Sequence, residues 1–284
     1  MNVQVIKVPY DSGNPRLRMG RGPEYFVDNG LLQVLQADGH QVSVESIEPQ
    51  TKFQAEIQTQ FELYRSLAER VAAARQENKF PLILSGNCGA TLGGIARANK
   101  KRLGLIWFDA HGDFNTPETT ASGFLDGMAL AIAAGLCWKS LALSIPNFSV
   151  VEGENILHVG GRDFDFQERK LFEQAGATLI EETILKQTNV RDALEPAIQH
   201  LSVNTKGVHL HIDLDVLDPK KTPSNGYAPN GGLRVEQVME AIELIKEKLP
   251  LEAASIASYD PEYDPEQKTL NAGFKLMRSI LKIH

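Results

Sequence analysis

The stretch Leu103-Gly104-Leu105-Ile106-Trp107-Phe108-Asp109-Ala110-His111-Gly112-Asp113 holds an apolar run that stops abruptly on a carboxylate. Such a run is short for a helix and suits a strand buried on both faces, as in a parallel sheet covered by helices. The form recurs. Residues 3–8 open the series, and residues 80–84 lead into Ser85-Gly86-Asn87-Cys88. Ile156–Val159 leads into Gly160-Gly161-Arg162-Asp163, residues 208–212 into Asp213, and residues 253–257 towards Asp260 and Glu262. Between these runs lie segments with helical spacing: residues 53–76, with Ile57, Phe61, Tyr64, Ala68 and Val71 on one face, then 191–201 and 235–249. Strand alternating with helix predicts an α/β fold whose parallel sheet carries helices on both faces. No repeat, low-complexity segment or Pro/Gly-rich linker divides residues 1–284, which read as one domain. In such a sheet the ligand site lies beyond the carboxyl ends of the strands, so the polar residues that close the runs should share one rim.

Composition narrows the function. A formal charge of −7, with Lys and Arg scattered, argues against nucleic acid as a partner. Two cysteines, Cys88 and Cys137, do not make a disulfide framework, and a reducing cytoplasm is expected. Residues 1–10 lack a charged segment followed by a long apolar one, so no signal peptide is expected. No apolar run approaches the roughly 20 residues that span a bilayer, so no membrane partner is expected either.

Asp109, His111 and Asp113 alternate with residues that are not ligands, and in an extended chain they would point the same way. Asp213 and Asp215 alternate likewise. A lone Asp-x-Asp is more often a turn or cap, and Asp218-Pro219 alone reads as a turn. Two such clusters, each at the end of a buried run, bring four carboxylates together. Unrelieved, they would repel one another and lose hydration. Two divalent ions would neutralise them. Oxygen-rich ligation with some imidazole suits Mn²⁺, with Zn, Fe, Co or Ni also open.

Asp109-Ala110-His111-x-Asp113 and Asp213-x-Asp215-x-x-Asp218-Pro219 resemble the two signature motifs of the arginases, agmatinases and formimidoylglutamases, the ureohydrolases. Pro9-Tyr10-Asp11-Ser12-Gly13 with Gly22-Pro23, Ser85-Gly86-Asn87-Cys88-Gly89, Gly161-Arg162-Asp163-x-Asp165 and Asp260-Pro261-Glu262-x-x-Pro265 fall in the family's order, so the resemblance covers nearly the whole chain. It implies a three-layer αβα sandwich around a mainly parallel sheet of about eight strands. It implies a binuclear manganese site, with Asp109 and Asp213 bridging, Asp113 on one ion, and His111 and Asp215 on the other. The nucleophile would be a bridging hydroxide made available near neutral pH, attacking a planar carbon such as that of a guanidinium. By the same analogy the protein is a homo-oligomer, a trimer or hexamer.

Two positions depart from the family pattern. Its first metal motif ends in His where Cys88 stands, preceded by Asp where Asn87 stands. A Cys88 thiolate is softer than imidazole and favours Zn or Fe over Mn; otherwise Cys88 is a small buried filler. Arginases carry a histidine, read as a proton shuttle, where Asp126 stands. Asp126 could carry protons if its pKa were raised, or it could simply cap the helix expected at residues 128–134.

The resemblance sets Asn115, Thr120 and Ser122 where an α-carboxylate is held, and Asp165 and Glu168 near an α-amino group. Glu262 stands where the guanidinium is met, a pairing that can be charge-assisted and bidentate. Phe124 and Tyr227 replace smaller polar residues at the rim. The substrate expected is a guanidino or amidino small molecule, with urea released from an arginine-like amino acid. Formimino or other amidine hydrolysis, or a catalytically silent binding homologue, are the alternatives. His209 and His211 share the strand face of Asp213; His211 could orient Asp213 or replace the missing ligand, but as a type such residues are core. His158 reads as core, and His40, His200 and His284 as surface.

Overall fold

The protein is described by a computed structural model covering residues 1–96 and 102–282. Its main sheet has eight strands, numbered here in chain order: β1 Asn2–Val8, β2 Gln41–Ser46, β3 Phe80–Ser85, β4 Gly104–Phe108, β5 Ile156–Val159, β6 Thr178–Ile180, β7 Val208–Asp213 and β8 Leu251–Ala257. They lie in the order β2-β1-β3-β8-β7-β4-β5-β6. Every pairing is parallel, so the expected "mainly parallel" sheet is wholly so. A small separate hairpin pairs Tyr10–Asp11 with Asn14–Pro15.

The six apolar runs are six of these strands. The other two, β2 and β6, gave no such signal because they are the edges of the sheet. No residue of β2 or β6 is fully buried. An edge strand faces solvent on one side and needs no continuous apolar run.

Alternation along the strands divides the core in two. Ile106 and Phe108 of β4, and Val208, Leu210 and Ile212 of β7, pack on the side of helices Val190–Asn204, Val235–Lys248 and Lys268–Leu281. Leu105 and Trp107 pack on the other side, against helix Glu56–Gln76. By this parity His209, His211 and Asp213 face the second side. The helix expected over residues 53–76 begins at Glu56, and Phe53 before it is half exposed. His40, expected on the surface, is buried, with Nδ1 3.4 Å from the terminal amine. His200 is exposed as expected, and His284 lies outside the described residues. Among the described residues no helix is long and apolar enough to cross a membrane.

The segment after β8 is held by one carboxylate. Asp264, buried, accepts hydrogen bonds from the Tyr259 hydroxyl (2.9 Å) and from the backbone N–H groups of Lys268 (2.7 Å), Thr269 (2.8 Å) and Leu270 (2.9 Å). The first-turn donors of helix Lys268–Leu281 would otherwise be unpaired, and the charge favours that helix end. Asp264→Ala leaves four donors without this acceptor. It is expected to cost about 2–4 kcal/mol, read from urea unfolding midpoints. A loss within about 0.5 kcal/mol, the range of an ordinary surface change, would refute this role.

Candidate metal centre

Strand register builds the site. Phe108 pairs with Ile212, so Asp109 and Asp213 leave adjacent strands side by side. Ala257 of β8 pairs with Asp213, which places Ser258 one step beyond, on the neighbouring strand. The loop after β3 adds Cys88. The four central strands of the sheet, β3, β8, β7 and β4, thus each deliver a polar residue to one spot.

The second acidic cluster is not extended as its spacing suggested. Leu214–Val216 is a 3₁₀ turn, and Asp213 accepts a 2.8 Å hydrogen bond from the Asp215 N–H. That turn, not strand alternation, brings Asp215 back beside Asp109. His111 Nδ1 lies 3.1 Å from Asp215 and 3.5 Å from Asp109. Asp109 also accepts from the His111 N–H at 2.7 Å and from the Trp107 indole at 3.1 Å. Asp113 adopts a left-handed backbone, φ 51°, and one of its carboxylate oxygens is buried with no partner. The Cys88 thiol, buried, donates to Asp213 at 2.9 Å and lies 4.0 Å from Asp109.

The charges are out of balance. Burial, then the Asp215 charge, pushes Asp109 up to about 6. Burial with neighbouring carboxylates raises Asp113 and Asp213 well above the ordinary range. Burial likewise lifts the Cys88 thiol, with Asp213 adding to it. On Asp215 burial is outweighed by the His111 charge, which holds it down to about 2; His111 is raised in turn, against burial, chiefly by Asp215. Buried carboxylates raised this way, together with an Asp113 oxygen that has no partner among the described residues, form a set that cations would satisfy. Two groups of ligand atoms lie within 4.8 Å of one another: Cys88, Asp109 and His211, and Asp109, His111 and Asp215. The residues therefore fit divalent ions.

Asn87 and Asp126 depart from the family pattern together, and they touch. The Asn87 amide donates to Asp126 at 2.8 Å, and Asp126 also accepts from the Gly89 (2.8 Å) and Cys88 (3.2 Å) N–H groups. Asp126 caps no helix; it begins the 3₁₀ turn Asp126–Met128 and pins the Cys88 loop. Burial lifts it to about 7 despite these donors. The Asn87 carbonyl oxygen accepts from Gln60 (2.7 Å) and from the Ser12 N–H (2.8 Å), tying the loop to helix Glu56–Gln76 and the first hairpin. Gly86 and Gly89 flank Asn87-Cys88 in this loop. They make room for the chain itself: a Cβ on Gly86 would strike the Tyr10 carbonyl, and one on Gly89 the Tyr64 hydroxyl.

Above the cluster opens a cavity of about 460 Å³. Among the described residues it is lined by seven acidic side chains and by no lysine or arginine, which favours a cationic occupant. Asn115, Thr120, Ser122, Asp126, Asp165 and Glu168 all line it. Asn115 donates to Asp165 at 3.1 Å. Glu168 is committed to structure, accepting from the Phe114 (2.8 Å) and Asp165 (2.9 Å) N–H groups; burial lifts it to about 7. Phe124 and Tyr227 stack at the mouth, 5.8 Å between centroids. Glu262 is not brought to this cavity. Its side chain is 68% exposed and ion-paired with Arg21, because Asp260 and Pro261 turn the chain outward after β8. The residue that β8 delivers instead is Ser258, 3.5 Å from the Cys88 sulfur. The sequence held its signal: Ser258 directly follows an apolar run, as Asp109 and Asp213 do. Asp163 and Asn225 also line the cavity and were missed as site residues.

Residues 1–282 match the model of the arginase family. An arginase of Staphylococcus aureus is 30% identical over 290 residues, covering 97% of this chain and 95% of the relative. The crystal structure of arginase from Bacillus cereus superimposes with a TM-score of 0.90 at 30% identity, covering 100% of this chain and 99% of that one. The crystal structure of formimidoylglutamase from Bacillus subtilis shares the fold, with a TM-score of 0.79 at 16% identity over 99% of this chain and 86% of that one. Matched from end to end in sequence and in fold, this chain belongs to the arginase family.

Proposed function

We propose that this protein is a hydrolase that uses two divalent ions to cleave a C–N bond of a cationic guanidino or amidino compound with amino-acid character. The observation that carries this reading is the buried cluster of Asp109, Asp113, Asp213 and Asp215, open to a carboxylate-lined cavity whose lining, among the described residues, holds no lysine or arginine. Asp109, Asp213, Asp215 and His111 would hold one ion, and Asp109, Asp213, Asp113 and Cys88 the other, with manganese as the family's usual metal. When bound, such ions supply an activated water and polarise the scissile carbon.

The chain's own residues do the rest. Asp126, lifted to about 7, is matched to exchange a proton near neutral pH. The Asn115–Asp165 pair, with the Thr120 and Ser122 hydroxyls, offers the donors and acceptors that an α-amino acid end requires. Phe124 and Tyr227 limit the width of what enters. A panel of guanidino, amidino and formimino compounds, assayed for urea, ammonia and formamide, identifies the reaction; no product from any of them would refute the enzyme reading.

Asp213→Asn is expected to strip metal from the protein, because an amide cannot neutralise two cations. Equal metal in wild type and variant by elemental analysis would sink the bridging role. Glu262→Gln is expected to leave kcat/KM within about threefold, a change of under 1 kcal/mol, since its carboxylate faces Arg21 and solvent. A loss of about 100-fold or more would bring Glu262 back into the site.

The pH response of the metal-free protein follows from the raised carboxyls. Asp109 (about 6), Asp126 and Glu168 (both about 7) hold protons in the folded chain that an unfolded chain gives up near pH 4. The stability they contribute is complete below about pH 4 and lost as pH rises towards 7. The buried His158, His209 and His211, lowered by burial, work the other way up to about pH 6.5. In chelator the Tm should therefore fall between about pH 6.5 and about pH 7.5, and Mn²⁺ should cancel the fall, since ions bind the deprotonated ligands. A metal-free Tm that climbs over this interval would contradict it.

A further inference from the structure

His211 is fully buried on β7, two residues before Asp213 and on the same face. Its ring is fixed from two directions. Nδ1 lies 2.8 Å from the Thr91 hydroxyl and 2.9 Å from that of Ser255, and the ring stacks on Trp107 at 3.7 Å between centroids. Nε2, by contrast, has no hydrogen-bond partner among the described residues. A ring nitrogen of His211, the Cys88 sulfur and an Asp109 oxygen all lie within 4.8 Å of one another. With Nδ1 taken by two hydroxyls, Nε2 is the nitrogen left to face the cluster.

An orphaned buried nitrogen is costly. If Nε2 carried a proton, the nearby carboxylates would be expected to accept it, yet no such bond exists. If it carries a lone pair, it faces sulfur and oxygen, which are also electron donors. A cation satisfies all of them at once. The arrangement also explains the substitution at position 88. Cysteine is small where the family has histidine, and an imidazole enters from the strand to the same place.

We propose that His211 Nε2 and Cys88 Sγ are both ligands of one ion, completed by Asp109, Asp113 and Asp213, so that the two ions of this protein sit in unlike surroundings. The inner ion has a sulfur and a nitrogen donor, a set that favours zinc or ferrous iron. The outer ion, on Asp109, His111, Asp213 and Asp215, keeps the oxygen-rich set that suits manganese. This rests on the reading that the strand-end carboxylates hold two ions. It makes His211, fixed by Thr91, Ser255 and Trp107, the residue that replaces the family's loop histidine.

The test is spectroscopic and needs no substrate. Chelator-treated protein is titrated with Co²⁺. Wild type is expected to show a near-ultraviolet thiolate-to-cobalt band and to take up two ions. Cys88→Ser should lose the band. His211→Phe keeps a ring to stack on Trp107 but removes the nitrogen; it should shift the visible cobalt bands and weaken the inner ion by about 100-fold or more. Should His211→Phe fail to fold, X-ray absorption of wild type with one equivalent of Zn²⁺ decides, with one sulfur expected at about 2.3 Å together with imidazole. Two ions bound without a sulfur ligand, or a folded His211→Phe that binds cobalt as wild type does, would overturn this proposal and leave the two-ion reading standing. No uptake of divalent ions at all would overturn both.

Discussion

Carboxylates that adjacent parallel strands deliver side by side cannot all stay charged, buried and unpaired. Register fixes this conflict: Phe108 opposite Ile212 puts Asp109 against Asp213, and no side-chain rotation separates them far. In the chain itself the conflict is only partly relieved. Burial and mutual repulsion push Asp109, Asp113 and Asp213 towards their protonated forms, and His111 serves as counter-charge to Asp215. Divalent ions would relieve it, at a spot the sheet has already assembled. The acidity of the centre is therefore a cost that the rest of the fold sustains. The same carboxylates that weaken the metal-free protein near neutral pH would give divalent ions their affinity.

What sustains it is a rigid frame with little freedom around each ligand. The sheet is buried on both faces by two apolar clusters, so the strand ends are fixed in place. The loop carrying Cys88 is held by Asp126 through three N–H donors, and by Asn87 through Gln60 and Ser12. Asn87 and Asp126 form a matched pair. An amide can donate to a carboxylate, whereas a carboxylate at position 87 would repel it. Cys88 and His211 stand in a similar relation, a small side chain on the loop and a ring on the strand. Departures from the family pattern that look like separate losses in sequence are contacts in space.

The rim is a different environment. Ser122 is exposed and Thr120 half-buried, and both bond mainly within their own loop, to Gly123 and Phe124. Phe124 and Tyr227 come from distant segments, and Arg18 donates to the Tyr227 hydroxyl at 3.0 Å. Loops on a rigid scaffold can vary without disturbing the core, so the rim is where substrate choice within one family is free to change.

The sequence alone determined the α/β architecture, because six strands buried on both faces must be continuous apolar runs. It also determined that Asp109, His111, Asp113, Asp213 and Asp215 belong together, because each cluster follows such a run. The edge strands β2 and β6 were illegible, since one-sided burial leaves no such run. Helix Lys268–Leu281 was also passed over, although its buried face, from Leu270 to Leu281, packs on the core. Only the tertiary structure decided the fine placement. Glu262 and Ser258 lie four residues apart, and a 3₁₀ turn at Pro261 sends one to Arg21 and solvent while the strand end leaves the other at the sulfur of Cys88. Spacing along a chain reports which face a residue occupies while the backbone stays regular. Past the end of a strand, turns and distant contacts set the direction, and those depend on residues far away in sequence.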